Sequence, residues 1–125
     1  MHTASSRYLD QCRAAMQAEQ ASSLAQTQHW AHVDRAQVHA DWDALYKRLA
    51  LLVDQCNADS AEVQQLVGEH HAIACRFYLP SREAYIGMSL FYQDNADMRS
   101  FHNAYHPRMV EFLADAIFVF AQQRL

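Results

Sequence analysis

Apolar residues recur three and four positions apart along two neighbouring segments, and this spacing marks one face of an α-helix. The clearer segment covers residues 35–56, and its apolar face comprises Val38, Trp42, Leu45, Leu49, Leu52, Val53 and Cys56. Residues 60–77 carry a similar face, formed by Val63, Leu66, Val67, His70, Ile73, Ala74 and Phe77. Asp34 and Ser60 are suited to cap the two helices. Because a short polar stretch joins them, the segments predict a hairpin of two long antiparallel helices.

The second half of the chain predicts three shorter helices. Pro80 and Pro107 interrupt the helical pattern, because proline and the residue before it both disfavour a helix interior. Ser81 is suited to cap a helix that ends near residue 94. We expect a short helix over about residues 96–105 and a final helix that begins at Pro107. Helices this short must pack on longer ones.

The N-terminal segment is more polar than the rest of the chain. Ser5 or Ser6 is expected to cap a first helix that reaches about residue 20, with a narrow apolar stripe. Residues 21–32 either continue that helix or form a hinge, and the sequence leaves both open. Trp30 is a large aromatic residue in this polar setting.

Composition and charge narrow the classes of protein. A chain of 125 residues with 51% hydrophobic residues predicts one domain, and two glycines and two prolines are too few for a β-fold. The net charge of −4 argues against direct contact with nucleic acid. No apolar run is long enough to span a membrane, and the N-terminus lacks the apolar core of a signal peptide. Three widely spaced cysteines are typical of reduced thiols, so we expect a cytoplasmic protein.

Neither a metal site nor a catalytic site is predicted. His102 and His106 lie four positions apart, and Glu69 precedes His70, but no pattern supplies three converging ligands. His70 lies on an apolar helix face, where a hydrogen-bonded buried histidine is expected. Cys75 is interpreted as a small core residue, and the chain contains neither a glycine-rich phosphate loop nor a G-x-S-x-G motif. We therefore expect no cofactor and no enzymatic activity.

A group of aromatic and methionine residues in the second half is the strongest functional signal. Its members are Tyr85, Met88, Phe91, Tyr92, Met98, Phe101, Tyr105, Met109 and Phe112. They form either a core or a pocket, and the residue pattern supports the two interpretations about equally. A pocket of aromatic rings and flexible methionines, with tyrosine hydroxyls as orienting groups, suits large and partly apolar ligands.

The same part of the chain resembles the C-terminal part of TipAS-type antibiotic-recognition domains. The resemblance is carried by an ordered series of short segments, namely residues 83–88, 91–92, 94–98, 106–107 and 111–117. It is best from Ser81 to Ile117, extends back to Leu66, and weakens before Asp34. Such domains usually follow a MerR-type DNA-binding module, and some occur alone as drug-binding resistance proteins.

The resemblance implies a fold and a binding site. It implies an all-α, incomplete globin-like architecture of two long antiparallel helices plus three short ones, with an extra N-terminal helix here. It favours the pocket interpretation, with the following ligand-binding residues: Trp30, His70, Tyr85, Met88, Phe91, Tyr92, Phe101, Tyr105 and Phe112. Known ligands of the family include thiopeptides and albicidin. Cysteines that capture thiopeptides in some members align with Gly87 and Pro80, so we expect non-covalent binding.

Within one structural domain, we expect residues 1–33 to form an N-terminal helix and lid, and residues 34–125 to form the TipAS-like ligand-binding body. The lid is expected to be more mobile without ligand, with Trp30 closing over a bound ligand.

Two functions remain open from the sequence. The first is a stand-alone protein that binds a bulky antibiotic and lowers its free concentration, which gives drug resistance. The second is the effector-sensing domain of a MerR-type transcriptional regulator that responds to several drugs, with a homodimer as its expected assembly. In both, the partner of this chain is a small-molecule antibiotic.

Overall fold

The computed structural model describes residues 4–125, and within them the chain forms six α-helices and no β-strand. The helices are α1 Ser6–Gln26, α2 Arg35–Ala50, α3 Ala61–Ala74, α4 Arg82–Asp94, α5 Ala96–Asn103 and α6 Met109–Arg124. This confirms the predicted all-α fold, in which α2 and α3 form the hairpin, α4 to α6 follow, and α1 is the additional N-terminal helix. None of the helices in the described part of the chain has the length and apolar character to cross a bilayer.

The predicted capping residues do begin the helices. The side chain of Asp34 accepts a hydrogen bond from the backbone N–H of Gln37, and Ser81 accepts one from Ala84. Ser5 and Ser60 cap α1 and α3 in the same way. Each cap satisfies a backbone donor that the first turn of a helix leaves unpaired, so the starts of these helices are specified locally.

The ends of the helices differ from the sequence expectation. The first hairpin helix ends at Ala50 rather than near residue 56, because residues 51–56 tighten into turns. In these turns the N–H of Leu52 bonds to the carbonyl of Leu49 at 2.9 Å, three residues back. The last helix begins at Met109, two residues after Pro107. The helix lengths also differ, since α6 and α2 have 16 residues each and α1 has 21.

The sequence left open whether residues 21–32 continue the first helix or form a hinge. The helix α1 continues to Gln26, and residues 27–32 form turns. It packs along α4, with Cys12 and Met16 buried between the two helices. The contact is closest at Gly87, where an added Cβ would lie 2.2 Å from the carbonyl oxygen of Cys12. The first three residues of the predicted N-terminal segment lie outside the described residues, and the mobility of that segment stays a prediction.

The chain reverses direction after α1 through a turn with an uncommon backbone. Gln28, His29 and Trp30 have φ angles of 53°, 58° and 64°. Each L-residue in this left-handed region costs roughly 1–2 kcal/mol, so the turn needs compensating contacts. The indole N–H of Trp30 donates to Ser23 Oγ at 2.9 Å, and its backbone N–H donates to Thr27 Oγ1 at 3.0 Å. These bonds position the Trp30 ring against the main body.

The main core lies between the α2–α3 hairpin, α4 and α6. Its largest fully buried side chains include Tyr46, Tyr85, Leu49 and Met109. A smaller apolar cluster, formed by Cys12, Ile86, Leu90 and Ala121, joins α1 to α4 and α6. α4 is therefore the central helix, with α1 on one side and the aromatic core on the other.

Candidate functional site

A histidine at the centre of α3 gathers three tyrosine hydroxyls. His70 is 1% exposed. Its Nδ1 lies 2.8 Å from the Tyr85 hydroxyl, and its Nε2 lies 3.2 Å from the Tyr46 hydroxyl. The Tyr92 hydroxyl lies 3.5 Å from the same Nε2. A buried imidazole needs such partners because an unpaired polar group in the interior is costly.

A second buried histidine fixes the direction of these hydrogen bonds. His102 Nδ1 lies 2.7 Å from the carbonyl oxygen of Met98, which only accepts, so Nδ1 carries the proton. His102 Nε2 is then an acceptor for the Tyr46 hydroxyl at 2.9 Å. With its proton donated, the Tyr46 oxygen accepts from His70 Nε2, and His70 Nδ1 accepts from Tyr85. We therefore assign one continuous chain of hydrogen bonds from α4 through α3 and α2 to α5.

Burial keeps both imidazoles of this chain neutral. Loss of solvent lowers the pKa of His70 to about 3, and the nearby His102 and His71 add to the shift. Burial also lowers the pKa of His102, although its bond to the Met98 carbonyl opposes the change. The pKa of Tyr46 is raised well above its usual range, chiefly by burial. At neutral pH the chain of hydrogen bonds is thus uncharged.

Aromatic rings extend this network in both directions. Trp42 stacks on His70 and on Phe77, with ring centroids 5.4 and 5.9 Å apart. The Trp30 ring meets Phe77 edge-on at 4.8 Å. We call the rings of Trp30, Trp42, Tyr46, His70, Phe77, Tyr85, Tyr92, Phe101, His102 and Tyr105 the aromatic layer. The indole N–H of Trp42 is buried in it and has no hydrogen-bond partner among residues 4–125, so it is a donor that a ligand acceptor would satisfy.

The far end of the aromatic layer is partly open to solvent. Tyr92 stacks on His102 with a centroid distance of 4.0 Å. Phe101 meets the Tyr46 ring edge-on at 6.4 Å and is 46% exposed. The Tyr105 hydroxyl donates to Asp43 at 2.6 Å, and burial with this carboxylate raises the pKa of Tyr105 to about 12. The layer therefore runs from the half-buried Trp30 to the exposed Phe101.

The structure brings together six of the nine residues expected to bind ligand. Those in the aromatic layer are Trp30, His70, Tyr85, Tyr92, Phe101 and Tyr105. Met88 is half-buried and packs against the main core. Phe91 is 39% exposed on α4. Phe112 lies in the wall of a separate groove.

Four members of the layer were not expected in the site. They are Trp42, Tyr46, Phe77 and His102, of which Trp42 and Phe77 were expected on core faces. Tyr46 follows Trp42 by four residues, so the sequence already indicates that both side chains lie on the same side of α2. His102 and His106 do not act together, because the His106 ring bonds to Asp54 at 2.9 Å on the surface. No group of three metal-ligating side chains occurs in the described part of the chain.

Two surface grooves lie outside the aromatic layer. The larger, of about 870 Å³, runs between residues 53–59 and α6, and its wall includes Phe112, Val119, Asp54 and Arg108. The smaller, of about 430 Å³, lies between α2 and α3.

The chain matches one family of known domains. The model of the TipAS antibiotic-recognition domain matches residues 3–120. No curated protein and no solved structure gives a significant match. Domains of this family bind small-molecule antibiotics, and the family is a ligand-binding family and not a catalytic one. Because the match covers nearly all of its 125 residues, the protein belongs to the TipAS antibiotic-recognition domain family.

Proposed function

We propose that this protein binds a bulky, partly aromatic antibiotic of the albicidin or thiopeptide type without chemical conversion, and lowers its free concentration in the cytoplasm. The observation that carries the proposal is the aromatic layer, in which stacked rings are oriented by a neutral chain of hydrogen bonds. Planar rings provide stacking surfaces for an aromatic ligand, and the unpartnered indole N–H of Trp42 provides a fixed donor. The protein would confer resistance by sequestration.

The ligand enters the aromatic layer by displacing the elements that cover it. Within Ala96–Asn103 only His102 is buried, so moving α5 breaks a small set of buried contacts, chiefly the Tyr46–His102 hydrogen bond and the Tyr92–His102 stack. At the other end, Trp30 is carried by the turn with three left-handed residues. Backbone strain of this kind is often found at sites that change conformation. We propose that both ends of the layer open to admit a ligand and that Trp30 then closes on it.

The proposed binding is non-covalent. In family members that capture thiopeptides covalently, one reactive cysteine aligns with Gly87, and here the close approach of α1 leaves no room for a side chain at that position. Burial raises the pKa of the Cys12 and Cys75 thiols, which disfavours the reactive thiolate.

Tryptophan fluorescence tests the site directly, because both tryptophans of the chain belong to the aromatic layer. Titration with albicidin and with a thiopeptide should change the emission of Trp30 and Trp42, and the Trp30→Phe and Trp42→Phe variants assign the signal. Absence of binding up to about 10 μM, or roughly −7 kcal/mol, would contradict the proposal. A ligand of changed mass after incubation would instead indicate an enzyme.

A second candidate function is the effector domain of a MerR-type regulator. The supporting observation is that Trp30 follows α1 directly, while the body of α1 packs on α4 at Gly87. Ligand contact at Trp30 is therefore mechanically linked to a helix outside the site. A DNA-binding module encoded upstream of Met1 in the same reading frame would favour this function over stand-alone sequestration.

The lid is tested by amide hydrogen exchange with and without ligand. We expect weak protection of residues 27–32, the turn that carries Trp30, in the free protein and stronger protection in the complex, since part of the binding free energy would order this turn. Residues 12–26 of α1 should be protected in both states, because this helix packs closely on α4. Residues 63–74 of α3 serve as the internal reference. Equal and strong protection of residues 27–32 in both states would show that the turn is preformed and does not act as a lid.

A further inference from the structure

Two matching series of residues, which differ only in an aspartate against a glutamate, begin on α2 and α3. The first series is Gln37, Asp41, Ala44, Arg48 and Leu51, and the second is Gln65, Glu69, Ala72, Arg76 and Leu79. Within each series the members are four, three, four and three positions apart, which is the spacing of one helical stripe. The second series runs past the end of α3, so the positions of Arg76 and Leu79 are set by the turn and extended segment that follow.

The middle members of the two series line the groove of about 430 Å³, with Asp41, Ala44 and Arg48 on one side and Glu69, Ala72 and Arg76 on the other. Arg48 pairs with Glu69 at 2.7 Å, and Arg76 pairs with Asp41 at 2.6 Å. Because the helices are antiparallel, each end of the groove has one acid and one base, on opposite sides. Leu45 and Ile73 form part of its apolar lining. The surface therefore has a rectangle of alternating charges around an apolar strip.

An exposed leucine ends each of the two series. Leu51 and Leu79 are 74% and 79% exposed, the highest values for large hydrophobic side chains among the described residues. Each follows an arginine of the rectangle by three residues in the sequence. Large exposed apolar side chains next to the charged corners along the chain favour burial against a partner.

We propose that this face, defined by the two series, binds a second copy of the chain in a two-fold symmetric dimer. If the second copy is turned by a half rotation about an axis parallel to the helices, its α2 lies over α3 of the first. Arg48 of one copy then faces Glu69 of the other, and Asp41 faces Arg76. A half rotation about an axis across the helices instead lays α2 over α2 and α3 over α3, so that Asp41 faces Arg48 and Glu69 faces Arg76, which are again opposite charges. A rectangle of alternating charges is thus complementary to itself under either rotation.

This complementarity selects the partner. A nucleic acid or a peptide of one charge sign would meet two like charges on the rectangle, whereas a second copy meets only opposite charges. An isologous interface requires such a self-complementary surface. The dimer would pack two α2–α3 hairpins as a four-helix arrangement and leave the aromatic layer on the inner side of each hairpin available to ligand.

Sedimentation equilibrium of the full chain from about 5 to about 200 μM tests the dimer, because the dimer fraction follows concentration. We expect a reversible dimer in the wild type. Leu51→Asp and Leu79→Asp should each weaken it by about tenfold or more, since every substitution occurs twice in the interface. A wild type that stays monomeric over this range overturns the proposal, as does dimerisation that neither leucine variant weakens.

A charge-reversed variant tests the pairing itself. Asp41→Arg, Arg48→Glu, Glu69→Arg and Arg76→Glu together keep the ion pairs within each chain and reverse the rectangle. This variant should dimerise with itself but not with the wild type, because mixed dimers would oppose like charges. Circular dichroism confirms that it folds, and if it does not, the concentration series with Leu51→Asp decides the test.

An ion pair on another face supplies the matched control. Arg99 and Glu111 are 2.9 Å apart and have similar exposure, so Arg99→Glu with Glu111→Arg reverses a pair of the same kind. This variant should form mixed dimers with the wild type in the statistical proportion. Mixed dimers of the wild type with the charge-reversed variant in that same proportion would overturn the proposal.

Discussion

The α1–α4 contact and the aromatic layer are packed in opposite ways. At the α1–α4 contact, Gly87 lets the two backbones approach until no side chain fits between them. In the aromatic layer, large rings from α2, α3, α4 and α5 keep the helices apart, and hydrogen bonds hold the rings in place. A contact between backbones tolerates no insertion. A layer of side chains can rearrange, so the layer suits a ligand and the α1–α4 contact suits a fixed support.

The largest effect is expected at the close contact. Gly87→Ala places a Cβ 2.2 Å from the carbonyl oxygen of Cys12 and 2.7 Å from Cβ of Met16, so α1 must shift. We expect a loss of about 3 kcal/mol in the free energy of unfolding, measured with urea. Gly68→Ala is the control, because its Cβ meets only the Phe120 ring at 3.7 Å. It should stabilise by about 0.5–1 kcal/mol through helix propensity. Equal effects of the two substitutions would contradict the proposed tight contact.

The next largest effect is expected in the hydrogen-bond chain. Tyr46→Phe removes one hydroxyl with little change in volume and leaves His70 and His102 each short of a buried partner. We expect a loss of about 2 kcal/mol in the free energy of unfolding. Tyr8→Phe is the matched control, since its hydroxyl donates to Glu83 at 3.1 Å in a half-buried setting. That loss should be below about 1 kcal/mol. A similar loss of unfolding free energy for both variants would mean that the buried chain of hydrogen bonds stabilises the fold no more than a single half-buried hydroxyl does.

Acid should weaken the aromatic layer in particular. Burial depresses the pKa of His70 to about 3 in the folded protein. The unfolded chain takes up this proton near pH 6.5, so stability is full above that pH and falls as the pH drops from 6.5 towards 3. His70 alone contributes a slope of roughly 1.4 kcal/mol per pH unit in this window.

Urea unfolding from about pH 7.5 to about pH 5 measures this slope, which reports the difference in bound protons. His70→Gln keeps a polar side chain but removes the titrating group. The slope of its unfolding free energy against pH should therefore be smaller by the contribution of one proton, roughly 1.4 kcal/mol per pH unit. An unchanged slope in this variant would show that another group causes the acid sensitivity.

The smallest effect on stability is expected at the exposed end of the layer. Phe101→Ala should lower the free energy of unfolding by less than about 1 kcal/mol, because nearly half of its side chain is exposed. We expect it to weaken antibiotic binding by about tenfold through lost stacking, as measured by calorimetry. Val119→Ala in the larger groove is the comparison. If Val119→Ala weakens binding and Phe101→Ala does not, the ligand occupies the groove instead of the layer.

Helix identity and the starts of the helices with a side-chain cap could be predicted because they depend on nearby residues. The three- and four-residue spacing placed the hairpin, and Asp34, Ser60 and Ser81 marked the first residues of their helices. Helix ends were less predictable. An apolar stripe continues through residues 51–56, although the backbone there already forms turns. The stripe shows which side faces the core but not which hydrogen-bond pattern the backbone adopts.

The sequence by itself determined the fold class and most of the rings in the proposed site, since these follow from local periodicity and from residue type. The tertiary structure alone decided which rings meet. Tyr46 and His102 are 56 positions apart, and their hydrogen bond depends on how α2 and α5 cross. The same is true of Gly87, whose role appears only where α1 packs on α4. Capping and helical periodicity act over a few residues, whereas contacts between helices depend on the packing of the whole core.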